Sequence, residues 1–150
     1  QISDQEGIQP SLVLHPDGKV RAYLRTKQGV ILTSAMDPET LMWNELKSTG
    51  LPNPDAAVDA WIDDQLRTVI VYNPSKDNRK ALKLASSRDG EHFVPGCDLV
   101  PENSQGDVAY PYVIRSSDGF WHITYSAHEK HEIRHLRFNG AWLNRCLATS

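Results

Sequence analysis

One unit occurs three times along this chain, and a repeated unit narrows the choice of folds more than composition does. The stretches "PSLVLHPDGKVRAYLRT" (Pro10 to Thr26), "AVDAWIDDQLRTVIVYNP" (Ala57 to Pro74) and "YPYVIRSSDGFWHITYS" (Tyr110 to Ser126) each read as strand, acidic turn, strand. Asp-Gly between alternating or β-branched runs is a strong hairpin signal, and two of the three turns carry it. The turn aspartates Asp17, Asp64 and Asp118 are 47 and 54 residues apart, close to the period of propeller blades. After each hairpin comes a third extended run, at Val30 to Ser34, Ala81 to Ser86 and Ile133 to Phe138. A turn and an aromatic then close each unit, in "SAMDPETLMW", "SSRDGEHF" and "NGAW".

A four-stranded sheet cannot bury both faces without neighbours, so four short strands recurring about every fifty residues predict consecutive propeller blades. No long stretch carries a 3.6-residue apolar period, and the nine prolines break most candidate helices. The fold class expected is all-β: a β-propeller fragment of about three four-stranded antiparallel blades. The 150 residues form a single partial propeller domain, with blades near 8–54, 55–106 and 107–146. Rings of this kind have four to eight blades. The remainder is expected from missing N-terminal blades or from a second copy of the chain, as a homodimer closing the ring.

Several classes of function fall away on composition. A formal net charge of −3, with Lys and Arg scattered, gives no basic field for a nucleic-acid backbone. Apolar runs such as Val69 to Tyr72 fall far short of the roughly 20 residues of a membrane span. The chain opens at Gln1 with neither an initiator Met nor a basic-then-apolar leader, the look of a processed or cut chain, and its compartment is not legible. Cys97 and Cys146 are too few and too far apart for a disulfide scaffold or a zinc ribbon. Two buried free thiols are the expectation, with a single bridge left open. No cofactor is implied.

At "SSRDGEHF" the chain resembles the sialidases and their relatives, whose Asp-boxes, S-x-D-x-G-x-x-W, sit between the third and fourth strands of a blade. Ser86, Gly90 and Phe93 hold the Ser, Gly and aromatic places, Arg88 stands at the Asp place and Asp89 is one residue late; Ser34 to Trp43 is a more degraded copy, 52 residues earlier. From about Gln9 to Leu143 the chain is similar to the C-terminal half of a six-bladed sialidase-like propeller.

The resemblance implies a chemistry. Sialidases hold a substrate carboxylate with three arginines, attack the anomeric carbon with a tyrosine paired to a glutamate, and protonate the leaving group with an aspartic acid. Guanidinium forks match carboxylates and stay charged, and a neutral tyrosine avoids repulsion from the substrate's own carboxylate. Tyr110 falls at the nucleophile's place, eight residues before Asp118, and Gln9 falls eight residues before Asp17, at the corresponding point of another blade. Gln9 thus stands where the family has its glutamate, and an amide cannot take a proton from tyrosine. Glu6 is the substitute if the entering loop folds back. Arg25 resembles the second arginine of the triad and Arg79 the third. Asp59 starts a strand on the pocket side, where it binds sugar hydroxyls or replaces the lost base. The first arginine and the acid aspartate belong to N-terminal blades, so this chain alone lacks a complete catalytic set.

Each assignment has a plainer competitor: surface arginines are common and weakly paired, Tyr110 suits a packed aromatic, and Asp59 belongs to an acidic group with Asp55, Asp63 and Asp64. The four tryptophans read first as blade-packing residues. "HEIRH", His131 to His135, fits the zinc-protease string H-E-x-x-H, but that chemistry requires a helix. On a strand, positions four apart are separated by roughly 13 Å, too far to share one metal. The leading expectation is a sialidase-like glycoside hydrolase acting on a terminal acidic sugar of a sialoglycan-like ligand. The competing readings are a non-catalytic carbohydrate-binding propeller and a structural module.

Overall fold

The computed structural model of the chain describes residues 7–148. Three antiparallel sheets follow one another along the chain as blades of a β-propeller. The first contains β1 (Ile8–Leu14), β2 (Val20–Arg25), β3 (Val30–Met36) and β4 (Lys47–Pro52), hydrogen-bonded in that order. The second has β5 (Asp59–Ile62), β6 (Thr68–Tyr72), β7 (Leu82–Ser87) and β8 (Val94–Val100). The third is three-stranded, β9 (Ala109–Arg115), β10 (Trp121–Ala127) and β11 (Glu132–Phe138), and is followed by helix α1 (Gly140–Leu147) rather than by a fourth strand.

The helix replaces the expected closing turn because Asn139 caps it. The Asn139 side chain accepts the Trp142 amide at 2.9 Å, and Leu143, Cys146 and Leu147 then share one buried face. Cys146 is not a free thiol: it is bonded to Cys97 of β8, with the Cα atoms 4.9 Å apart. Gly96 makes the close approach possible, since a Cβ there would lie 2.9 Å from the Cys146 carbonyl.

Two apolar seams join the sheets. Alternation along β6 shows the logic: Ile70 and Tyr72 pack towards Val13, Tyr23 and Ile31 of the first sheet. Val69 and Val71 pack towards Trp121, Ile123 and Tyr125 of the third. The middle strand is buried at every position because both its faces are covered. Trp61 and Trp121 meet across the second seam with ring centroids 5.8 Å apart.

Hairpin register revises two details. His15, Asp63 and Ser116 make the same turn-opening bonds, donating their amides to Lys19, Arg67 and Phe120. The residue matching Asp17 and Asp118 is therefore Gln65, not Asp64. Asp63 takes over the turn, accepting the Gln65 and Arg67 amides at 3.0 and 2.9 Å, while Asp64 reaches Arg115 of the next sheet at 2.7 Å. In "SSRDGEHF" the serine that works is Ser87, not Ser86: its hydroxyl bonds Asp89 and accepts the Gly90 amide at 2.9 Å. Asp89, not Arg88, accepts the amides of Glu91 and His92, both at 2.8 Å. Burial pushes the Asp89 carboxyl up, but these bonds and the His92 ring hold it well below the usual range.

Candidate functional site

Gln9 near the start of β1 and Tyr110 near the start of β9 share a rare backbone. Their φ angles are 52° and 56°, in the left-handed region that side chains other than glycine seldom adopt. Each precedes a proline, which ordinarily enforces an extended conformation on the residue before it. The pairing registers slip at both places, between Ile8 and Ser11 in one sheet and between Thr124 and Ser126 in the other. A bulge of this kind turns the side chain out of the regular alternation. Here the turned side chains belong to one cluster.

Arg25, at the end of β2, ties that cluster together. Its Nη1 donates to Gln9 Oε1 at 2.7 Å and its Nε to Asp55 Oδ1 at 3.0 Å. Arg79, in the loop between β6 and β7, donates from Nη2 to the Asp55 carbonyl at 2.6 Å. Asp55 therefore holds one guanidinium with its side chain and the other with its backbone, and its own φ is 54°. The Arg25 hydrogen bond keeps the Asp55 carboxyl below its ordinary range.

Tyr110 lies against this pair of arginines. The Arg79 guanidinium carbon is 5.9 Å from its ring centroid, and Lys130 Nζ, from the turn between β10 and β11, is 5.3 Å away. Hydrogen bonding to Arg79, then to Arg25, with the charge of Lys130 adding to them, holds the phenol below the ordinary tyrosine value. Arg79 and Lys130 also line a cavity of about 200 Å³, together with Asp107, Ala109, Ser126 and Glu129.

Of the expected site residues, Gln9, Arg25, Arg79 and Tyr110 come together, and Glu6 lies outside the described residues. Asp59 begins β5 but is engaged by the protein itself. Its carboxylate accepts Ser11 Oγ of β1 and the Val113 amide of β9, both at 2.8 Å, and the Ala60 amide at 3.1 Å. Burial, partly offset by these bonds, raises its carboxyl above the usual value. Asp59 thus ties three inner strands together. Two members of the cluster carry no sequence signal of their own. Asp55 reads as one of several acidic loop residues, and Lys130 as a solvated turn lysine. His131 precedes β11 and His135 lies on it, and among the described residues no group of three or more His, Cys, Asp or Glu is arranged to hold a metal.

Residues 1–123 match the family model described as the BNR repeat-like domain. None of the curated proteins compared matches the chain. Among solved structures, the intramolecular trans-sialidase of Ruminococcus gnavus, in complex with oseltamivir carboxylate, superposes with a TM-score of 0.70 at 18% identity, over 91% of this chain and 33% of that one. The leech intramolecular trans-sialidase gives 0.72 at 13% identity, over 93% and 24%. The α-L-arabinanase of Penicillium chrysogenum gives 0.68 at 13% identity, over 93% and 48%. Identities this low speak to the fold alone. The chain spans about a quarter to a third of the length of the sialidases it matches.

Proposed function

The chain belongs to the BNR repeat-like domain family and has a sialidase-like fold, and on that footing we propose that it forms the C-terminal part of a glycoside hydrolase of sialidase type. The observation that carries this reading is the convergence of Tyr110, Arg25 and Arg79 from three separate elements on one point. The substrate is a terminal acidic sugar. Arg25 and Arg79 receive its carboxylate, for which planar forks of donors are the best geometric match, and Tyr110 attacks the anomeric carbon. A further arginine and the acid that protonates the leaving group come from blades beyond this chain, so the chain alone is inactive. The remaining blades, or a second copy of the chain, complete the ring.

The experiment is release of the fluorophore from a fluorogenic sialoside by the full-length protein. Activity that falls by about a thousandfold or more in Tyr110→Phe supports the nucleophile. Full activity in that variant removes Tyr110 from the chemistry. A second reading, a non-catalytic binder of acidic glycans, is favoured by Gln9, whose amide oxygen is occupied by Arg25. It requires saturable glycan binding, abolished in Arg25→Ala, with no hydrolysis under any condition.

A further inference from the structure

An unanswered question at this site is where the proton of Tyr110 goes. Position 9 is an amide, and its oxygen is already held by Arg25 at 2.7 Å. The charged groups facing the phenol come from several elements. Arg25 reaches it from the end of β2, Arg79 from the loop between β6 and β7, and Lys130 from the turn between β10 and β11. On the negative side, Asp55 is paired to Arg25, and Asp107 and Glu129 line the cavity they share with Arg79 and Lys130. None of these carboxylates hydrogen-bonds Tyr110. The groups that reach the phenol directly are the three cations.

We infer that Lys130 is a positioning residue for Tyr110: where none of the described residues offers the phenol a base, its ammonium adds to Arg79 and Arg25 the charge that lets the phenol act as a phenolate and offsets the repulsion that a phenolate would meet from the substrate carboxylate. The inference rests on the reading of Tyr110 as nucleophile. Two features of the structure support it independently of any titration. Lys130 makes no ion pair among the described residues; its one close partner is the Tyr110 ring, with Nζ 5.3 Å from the centroid. Among the described residues, its charge is therefore not spent on a carboxylate. The turn that presents it is also costly to form. His128, Glu129 and Lys130 have φ angles of 48°, 55° and 76°, three successive residues other than glycine in the left-handed region. Such conformations persist where their surroundings impose them, and they cluster at working sites. The turn rests against Gly106, where a Cβ would lie 3.1 Å from Glu129 Cγ.

The proton balance is simple. The Tyr110 O–H bond breaks in a pre-equilibrium and the proton leaves to solvent water; the phenolate oxygen then bonds to the anomeric carbon as the glycosidic C–O bond breaks, and the leaving oxygen takes its proton from the acid assigned to the other blades. No acceptor on the protein is needed, and the rate at a given pH follows the fraction of phenolate.

The test is an ultraviolet titration of phenolate in the full-length protein, taken as the difference between the unmodified protein and Tyr110→Phe, so that the signal belongs to Tyr110. In Lys130→Gln the Tyr110 titration is expected to move to higher pH. At fixed pH kcat should fall by roughly threefold to tenfold, with KM little changed and the pH profile displaced in step with the titration. Lys130→Arg, which keeps the charge, is expected to restore both. A Tyr110 titration unmoved in Lys130→Gln overturns the inference, as does lost activity that Lys130→Arg also shows without any titration change, the mark of a structural turn residue. The titration is read whether or not the protein hydrolyses sialosides. The inference therefore fails separately from the nucleophile reading, which Tyr110→Phe decides by itself.

Discussion

Gly90 sits where the turn after β7 presses into the first blade, with φ at +80°. A Cβ there would lie 2.5 Å from His15 Cε1 and 2.8 Å from Arg21 Cδ. Gly90→Ala combines backbone strain with overpacking against two buried side chains, so it should cost roughly 2–4 kcal/mol in chemical denaturation. His15 itself is buried between Tyr23 and Thr68, and burial, with the charge of Arg21 behind it, lowers its ring from 6.5 to about 4. The unfolded chain takes up this proton below about 6.5 while the folded one resists until about 4, so stability is complete above that window and is lost as pH falls through it. The loss approaches about 3 kcal/mol. Denaturant midpoints measured across the window should slope downward towards acid, and the slope should flatten in His15→Gln. Gly90 was legible as an Asp-box glycine, but its contact with His15 was not. In the site itself, Tyr110 and Gln9 could be aligned because both precede an Asp-Gly turn by eight residues. Asp55 and Lys130 lie in loops that the repeat does not index, and a loop lysine has no periodicity to betray it.

At the level of elements, the first three strands of each blade were legible, while the fourth strands were only counted and not placed, and the helix was not legible. β5, β6 and β10 alternate or run continuously apolar, as sheets covered on one or both faces must. The helix has only eight residues, fewer than the window over which a 3.6-residue period can be recognised, and "NGAW" reads equally well as a turn. What holds α1 is tertiary: its apolar face in the second seam, and the bond from Cys146 to Cys97 across 49 residues of chain. Closing a loop of that length restricts the unfolded chain by about 4 kcal/mol. Cys97→Ala combined with Cys146→Ala should therefore lower the denaturation midpoint by a corresponding amount. The cap is a smaller contribution. Asn139→Ala removes the acceptor for the Trp142 amide and should cost about 1 kcal/mol, measurable in the same assay. If the double cysteine variant proved as stable as the parent, the packing of Leu143 and Leu147 alone would be enough to seat the helix.

For the molecule as a whole, the terminal sheets present apolar side chains that no seam covers. Val13 of β1 and Val113 of β9 pack inward, so by the two-residue period of a strand their neighbours face the other way. Leu12 and Leu14 are 58% and 68% exposed, and Tyr112 and Ile114 are 65% and 53% exposed. The period of the repeat foretold this open arc, because three blades cannot return to their own start, but nothing in the sequence says what closes it. The two occupants proposed for the arc leave different signatures. If a second copy closes the ring, a two-fold axis sets the β1 face of each protomer against the β9 face of the other. Both seams of the dimer then contain Leu12 and Leu14. One substitution is consequently repeated at both seams, and Leu12→Lys with Leu14→Lys should convert a discrete dimer of the 150-residue chain into monomer in sedimentation velocity. If separate blades close it, the isolated chain has no complementary partner. It should then associate without a defined stoichiometry, and the same substitutions should improve its solubility while destabilising the full-length protein. A discrete, substitution-sensitive dimer favours the second copy; a polydisperse chain whose full-length form sediments as a monomer favours the missing blades.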